Sequence, residues 1–176
     1  VAAVGLPGVV QAGNMGSVVG RAKAGAEGDI PGALSEGFRV DVDGRVVVEE
    51  AIVGREVECS VLDNADPQGS AVGEIVVQGH AFYDYAAKYT DPATRLRIPA
   101  DLPPKIADEV RRCAVEAFRA IDAQGFARVD VFYDEAHERV RINEINTMPR
   151  FTSTSMYSMM TQAVGVSYGG AVAGRM

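Results

Sequence analysis

The sequence predicts a fold of the α+β class, with antiparallel strands and packed helices. Two observations carry that expectation. Residues 127–133 and 139–149 are rich in β-branched and aromatic side chains and flank the short polar break Asp134-Glu135-Ala136-His137-Glu138, the pattern of an antiparallel hairpin. Ahead of it, Pro103-Pro104 opens a helix. Ile106, Val110, Ala114, Phe118 and Ile121 recur at near-helical spacing, proline is tolerated in the first turn, and Gly125 supplies the stop.

Taken in order, Leu6-Pro7-Gly8-Val9-Val10 predicts a strand. It enters residues 11–20, where Gly13, Gly16, Ser17 and Gly20 make a loop whose backbone N–H groups could approach phosphates. No Gly-Lys-Ser/Thr ends this loop, so it is not a P-loop, and a purely structural turn is the competing reading. Residues 21–38 are ambiguous: alanines favour helix, while Gly25, Gly28, Pro31 and Gly32 punctuate it. Residues 38–42, a turn at Asp43-Gly44 and residues 45–50 predict a second hairpin. Its far end delivers Glu49 and Glu50, with Glu56 shortly after. Such acids accept from nucleotide amino or hydroxyl groups, or are simply surface acids.

Residues 56–62 alternate as a strand, 63–70 form a polar turn region, and 73–77 form another strand. Residues 82–89 are dense in aromatics and end in Lys88-Tyr89; such a loop covers either a ligand or the protein's own core. After Pro149 a Met- and Gly-rich tail shows weak helical signal and is expected to be poorly ordered at its end.

Side chains alternate faces along a strand. That places Arg128, Asp130 and Phe132 on one face of the first hairpin arm, and Ile142, Glu144 and Asn146 on one face of the second. Folding at the polar break brings Asp130 opposite Glu144. Two carboxylates and an amide then converge beside an arginine, a set of hard oxygens that suits Mg2+. The alternative is a solvated sheet face. Like charges directly opposite would destabilise the pair unless a cation or the nearby arginine intervenes, which tilts the reading modestly towards a metal.

The 176 residues suffice for one good core or two small lobes. A formal charge of −7 argues against a nucleic-acid backbone as partner. No apolar run approaches the roughly 18 residues of a membrane span, and no signal-peptide pattern opens the chain. Cys59 and Cys113 lack zinc or redox spacing and are expected to be reduced thiols of a cytoplasmic protein; His80 and His137 are equally isolated.

Longer stretches then carry a family likeness. They are residues 48–56 (Val-Glu-Glu-Ala-Ile-Val-Gly-Arg-Glu), Gly73-Glu74-Ile75, residues 82–89, Ile98-Pro99-Ala100 and Ala127-Arg128-Val129-Asp130. Asn143-Glu144-Ile145-Asn146-Thr147-Met148-Pro149, Phe151-Thr152 and Ser155-Met156-Tyr157 follow in the same order. From about Leu6 onward the chain resembles the D-alanine–D-alanine ligases of the ATP-grasp superfamily.

The resemblance implies an ATP-grasp fold with mixed and antiparallel sheets. It is truncated: residues 1–55 would be part of the central lobe and 56–176 the C-terminal lobe, with nucleotide held between such lobes and the family's N-terminal domain missing. It implies ATP-dependent phosphorylation of one D-alanine, attack by the amine of a second, and release of dipeptide and phosphate, for peptidoglycan precursors. Two Mg2+ ions, or Mn2+ in their place, would bridge the phosphates. By matching position, Asp130, Glu144 and Asn146 would hold them, and Arg128 and Lys88 would meet phosphoryl charge. Ser17 and Tyr89 would orient the first alanine, and Ser155 the second. Glu49, Ile52, Glu56, Phe82 and Phe132 would hold the nucleoside. Partners would be ATP and D-alanine, with no nucleic acid and no membrane; a homodimer is left open.

The chain also departs from the family. Gln11 stands where a lysine reaches the ATP phosphates, and charge-assisted bonds are roughly twice as strong as neutral ones. Ala12 replaces a proline, Asn14 an arginine and Val18 a serine. Arg150 replaces a glycine whose N–H serves an oxyanion, a contact whose loss costs on the order of 3 kcal/mol. These changes leave two alternatives open: a catalytically dead nucleotide-binding or scaffold protein, and a related D-alanyl ligase with a different acceptor.

Overall fold

The computed structural model describes residues 4–13, 21–41, 43–62, 65–77 and 94–172. These fall into two compact units, one within Val1–Ile52 and one drawn from Val53–Val76 and Thr94–Met176.

In the first unit, strands β1 (Gly8–Ala12), β2 (Ala22–Ala24) and β3 (Val46–Glu50) form an antiparallel sheet in the order β2-β1-β3. Helix α1 (Ile30–Val40) covers one face, burying Val10, Ala24 and Ala33 with Ile30, Leu34, Val46 and Val48 packed around them. The strand predicted over 38–42 is absent: residues 38–40 complete α1. Ile30, Ala33, Leu34 and Gly37 recur at the i, i+3, i+4, i+7 positions of one helix face. Gly37 lets that face settle on the sheet, because a Cβ there would stand 2.8 Å from Val46 Cγ1. Glycine inside a helix costs about 1 kcal/mol relative to alanine, and the close packing offsets it. The turn at Asp43-Gly44 is present but joins helix to strand. Asp41 Oδ1 accepts from the N–H groups of Asp43 (2.9 Å) and Arg45 (3.0 Å), and Gly44 takes φ +66°.

The second unit is built on a five-stranded sheet in the order β6-β5-β4-β7-β8. Its strands are β4 (Arg55–Leu62), β5 (Gln68–Val77), β6 (Thr94–Arg97), β7 (Phe126–Asp134) and β8 (Arg139–Asn146). β4 pairs antiparallel with β5 and β7, and β7 with β8. Helix α2 (Pro104–Ala120) lies on one face. Its Ile106, Val110, Ala114 and Phe118 pack on Val57, Cys59 and Val61 of β4 and on Ala127, Val129, Val131 and Tyr133 of β7.

The helix stops earlier than the glycine signal suggested. Ala123 N–H returns to the Phe118 carbonyl at 3.0 Å, and Asp122 adopts φ 52°, the left-handed position that glycine usually fills at a helix end. Gly125, at φ +80°, instead shapes the approach to β7. β5 begins inside the predicted polar turn. There the pairing slips between Cys59 and Val61, and the Ser70 hydroxyl accepts from Ser60 N–H at 2.9 Å.

The tail is helical in part, and its end, residues 173–176, lies outside the described residues. It forms helices α3 (Met156–Gln162) and α4 (Tyr168–Val172). Phe151 anchors it through ring contacts with Phe126, Tyr157 and Tyr168 at centroid distances of 5.3, 5.0 and 5.7 Å. Among the described residues, no helix is long and apolar enough to cross a membrane.

Candidate active site

Several of the residues singled out from sequence lie on the face of the second unit's sheet away from α2. On β4 and β7 the odd-numbered residues point into the core, so the even-numbered ones point to the opposite face. The register across β4, β7 and β8 sets these in three rows: Ser60–Arg128–Asn146, Glu58–Asp130–Glu144 and Glu56–Phe132–Arg141. Asp130 is therefore opposite Glu144, as the hairpin predicted.

Ile142 does not share that face as expected. Asp130 pairs with Glu144, but Val131 pairs with Ile142, so Asn143 is an extra residue on β8. This β-bulge reverses the alternation. It moves Ile142 to the row of the core-facing Val131 and sets Arg141 beside Phe132.

Arg128 is the electrostatic centre of the face. Its Nε and Nη2 donate to the two oxygens of Asp130, each at 2.6 Å, and Nε lies 3.2 Å from Glu58 Oε2. Burial works to lower its pKa. The hydrogen bonds and charge of Asp130, with Glu58 and Glu144 adding, more than offset this and hold the pKa above the usual guanidinium value. In the two rows that contain Arg128 and Asp130, three carboxylates face one guanidinium, a formal excess of −2.

A divalent cation would offset that charge. Among the described residues no group of three His, Cys, Asp or Glu is placed to hold a metal by itself. Asp130, Glu144 and the Asn146 amide instead offer a partial shell of hard oxygens, which Mg2+ ordinarily completes with water and phosphate. Asn146 Oδ1 accepts from Met148 N–H at 3.0 Å, and a carbonyl oxygen retains a second lone pair.

The same face is closed at one side by α3. Ser60 Oγ donates to the Tyr157 carbonyl at 3.3 Å. Met156 and Met160 press on Gly73, where a Cβ would meet Met156 Cε at 2.6 Å. Gly73 pairs with Glu58, and the missing side chain there lets the methionines of α3 settle against the sheet. Ser155 caps α3: its Oγ accepts from Ser158 N–H and donates to the Thr152 carbonyl at 2.9 Å. Its hydroxyl proton is thus engaged, and binding a carboxylate through it requires that bond to be exchanged.

In the first unit, Gln11 pairs with Val47 and Glu49 with Val9. Both therefore lie on the sheet face away from α1. Ile52, just past β3, is half-buried. Ser17, Phe82, Lys88 and Tyr89 lie outside the described residues. Glu58 was missed from sequence. The signal was available, because Glu56, Glu58 and Ser60 alternate with Val57, Cys59 and Val61, but only Glu56 was singled out.

Comparison with known proteins gives this arrangement a lineage. Residues 1–174 match the family described as D-ala D-ala ligase C-terminus. The chain is 49% identical over 162 residues to a D-alanine--D-alanine ligase of Acetivibrio thermocellus, covering 92% of this chain and 42% of that protein. Among solved structures it is similar to the D-alanine-D-alanine ligase from Coxiella burnetii (TM-score 0.81, 32% identity, 96% of this chain and 43% of that one). It is also similar to the VanG D-Ala:D-Ser ligase from Enterococcus faecalis (TM-score 0.84, 31% identity, 98% of this chain and 49% of that one). The chain thus spans less than half the length of these relatives. Its α+β fold is the ATP-grasp fold that the sequence resemblance implied. From sequence and structure alike, the chain belongs to the D-ala D-ala ligase C-terminus family.

Proposed function

We propose that this chain carries ATP- and Mg2+-binding residues of an ATP-dependent ligase that joins two D-alanines in cytoplasmic peptidoglycan precursor synthesis. The supporting observation is the register that sets Asp130 opposite Glu144, with Arg128 and Asn146 in the adjoining row. In this reading Asp130, Glu144 and Asn146 hold Mg2+, which would neutralise phosphate charge when bound. Arg128 meets the transferring phosphoryl group. Glu56 and Phe132, neighbours across β4 and β7, meet ribose and adenine, with Glu49, Ile52 and Phe82 completing the nucleoside contacts. Gln11 and Lys88 face phosphates. Ser17 and Tyr89 orient the D-alanine whose carboxylate becomes the acyl phosphate, and Ser155 takes the carboxylate of the D-alanine whose amine attacks it. Calorimetry with ATP, with and without Mg2+, followed by a phosphate-release assay with D-alanine, tests the reading. Absence of Mg2+-dependent ATP binding would overturn it.

Two observations favour variants of this reading. Similarity to a D-Ala:D-Ser ligase keeps a different acceptor in play, and phosphate release with D-serine against D-alanine separates the two. Gln11 and Arg150 favour binding with slow turnover. Restoring Gln11→Lys and Arg150→Gly together should then raise phosphate release, and no gain in rate would defeat that variant.

A further inference from the structure

Glu58 is a buried carboxylate on the site face of β4, opposite Asp130. A buried carboxylate is unfavourable unless a cation answers it. Arg128 does so from the diagonal position, with Nε 3.2 Å from Glu58 Oε2, a span that long side chains bridge across a strand pair. That guanidinium also engages both oxygens of Asp130. Each Asp130 oxygen keeps a second lone pair, but a divalent cation bound there draws on the same negative charge as Arg128 and weakens the guanidinium's hold on it. Arg128 is itself largely buried, and a buried charge whose partner is withdrawn is strongly destabilising. Glu144 cannot fill the gap, because it is the cation's other carboxylate. Glu58 can.

We propose that Glu58 is a positioning residue for Arg128: it takes over the guanidinium when Asp130 turns its oxygens to a divalent cation. Arginine and cation are then satisfied together instead of competing for one carboxylate. The inference rests on the Mg2+-nucleotide reading of this site.

The test is a Mg2+ titration of the whole chain with ATP present, read by calorimetry, on the wild type, Glu58→Gln and Glu58→Asp. It is paired with solvent-exchange NMR of the Arg128 Nε–H. Glu58→Gln leaves the Arg128–Asp130 pair intact, and a thermal melt confirms that the variant is folded. Removing a direct outer partner of a metal ligand typically weakens binding about 10–100-fold; Glu58 acts one step further out, through Arg128, so the lower end, about 10-fold, is expected here. Glu58→Asp keeps the charge but shortens the reach, so it should weaken binding to a similar degree. On adding Mg2+, the Arg128 Nε–H should stay protected in the wild type and become exchangeable in Glu58→Gln. Glu58→Gln binding within about twofold of wild type, full recovery by Glu58→Asp, or protection retained in Glu58→Gln with Mg2+ would each overturn the inference alone. If the wild type shows no Mg2+-dependent binding, both it and the functional reading fall.

Discussion

The two faces of β4 and β7 both contain buried side chains and are chemically opposite. Val57, Cys59, Val61, Val129 and Val131 face α2 at 0–2% exposure, while Glu58 and Ser60 on the other face are 3% and 1% exposed. Burial alone therefore does not mark the core. One face is satisfied by dispersion and loss of apolar surface to water. The other holds ionisable groups, among which Arg128 answers Asp130 and Glu58, and such a cluster is a candidate functional site.

The largest effect should come from the apolar face. Phe118→Ala empties a fully buried ring position beneath the sheet and should lower unfolding free energy by about 3–5 kcal/mol in a denaturant titration. The folded fraction should bind Mg2+·ATP as before; a parallel loss of affinity would show that the two faces are not separable. The reverse substitution is Asp130→Asn. It should weaken Mg2+-dependent ATP binding on the order of 100-fold, while the denaturation midpoint moves far less because Arg128 keeps Glu58. A large drop in stability with binding intact would reverse the assignment of the faces.

Gly73→Ala probes where α3 closes over the polar face. The added methyl meets the mobile ends of Met156 and Met160, so a loss of about 1 kcal/mol is expected, at the low end for overpacking. A loss several times larger would mean that α3 is rigidly seated there. The smallest effect appears only at alkaline pH. Burial pushes the Cys59 thiol up to about 11 from an ordinary 9.0. The folded chain therefore keeps a proton that the unfolded chain releases first. Cys59 stabilises fully below pH 9, and that share is lost as pH rises through 11. Comparing unfolding free energies of wild type and Cys59→Ala from pH 8 to 11 checks this; a constant difference between them would contradict it.

Several of these contrasts were legible in the letters. Alternation along residues 127–133 and 139–146 assigned Asp130 and Glu144 to one face and made them partners, because strand parity and a short polar loop are local properties. The spacing of Ile106, Val110, Ala114 and Phe118 likewise identified α2 and its buried stripe. The bulge at Asn143 was not legible, because nothing in its neighbours' types distinguishes an extra residue from a regular one. Nor was the helical fate of residues 38–40: β-branched and aromatic residues there favour a strand locally, while in the fold they continue a helix whose Ile30, Ala33, Leu34 and Gly37 pack on the sheet.

What the sequence determined by itself was which side chains share a strand face and which hairpin arms meet, since both follow from backbone periodicity over a few residues. The tertiary structure alone decided that β4 lies beside β7, so that Glu58 joins Asp130 and Glu144 in one row and reaches Arg128. Strand order in a sheet is set by burial between segments about 70 residues apart, as Glu58 and Asp130 are, and no local pattern encodes it.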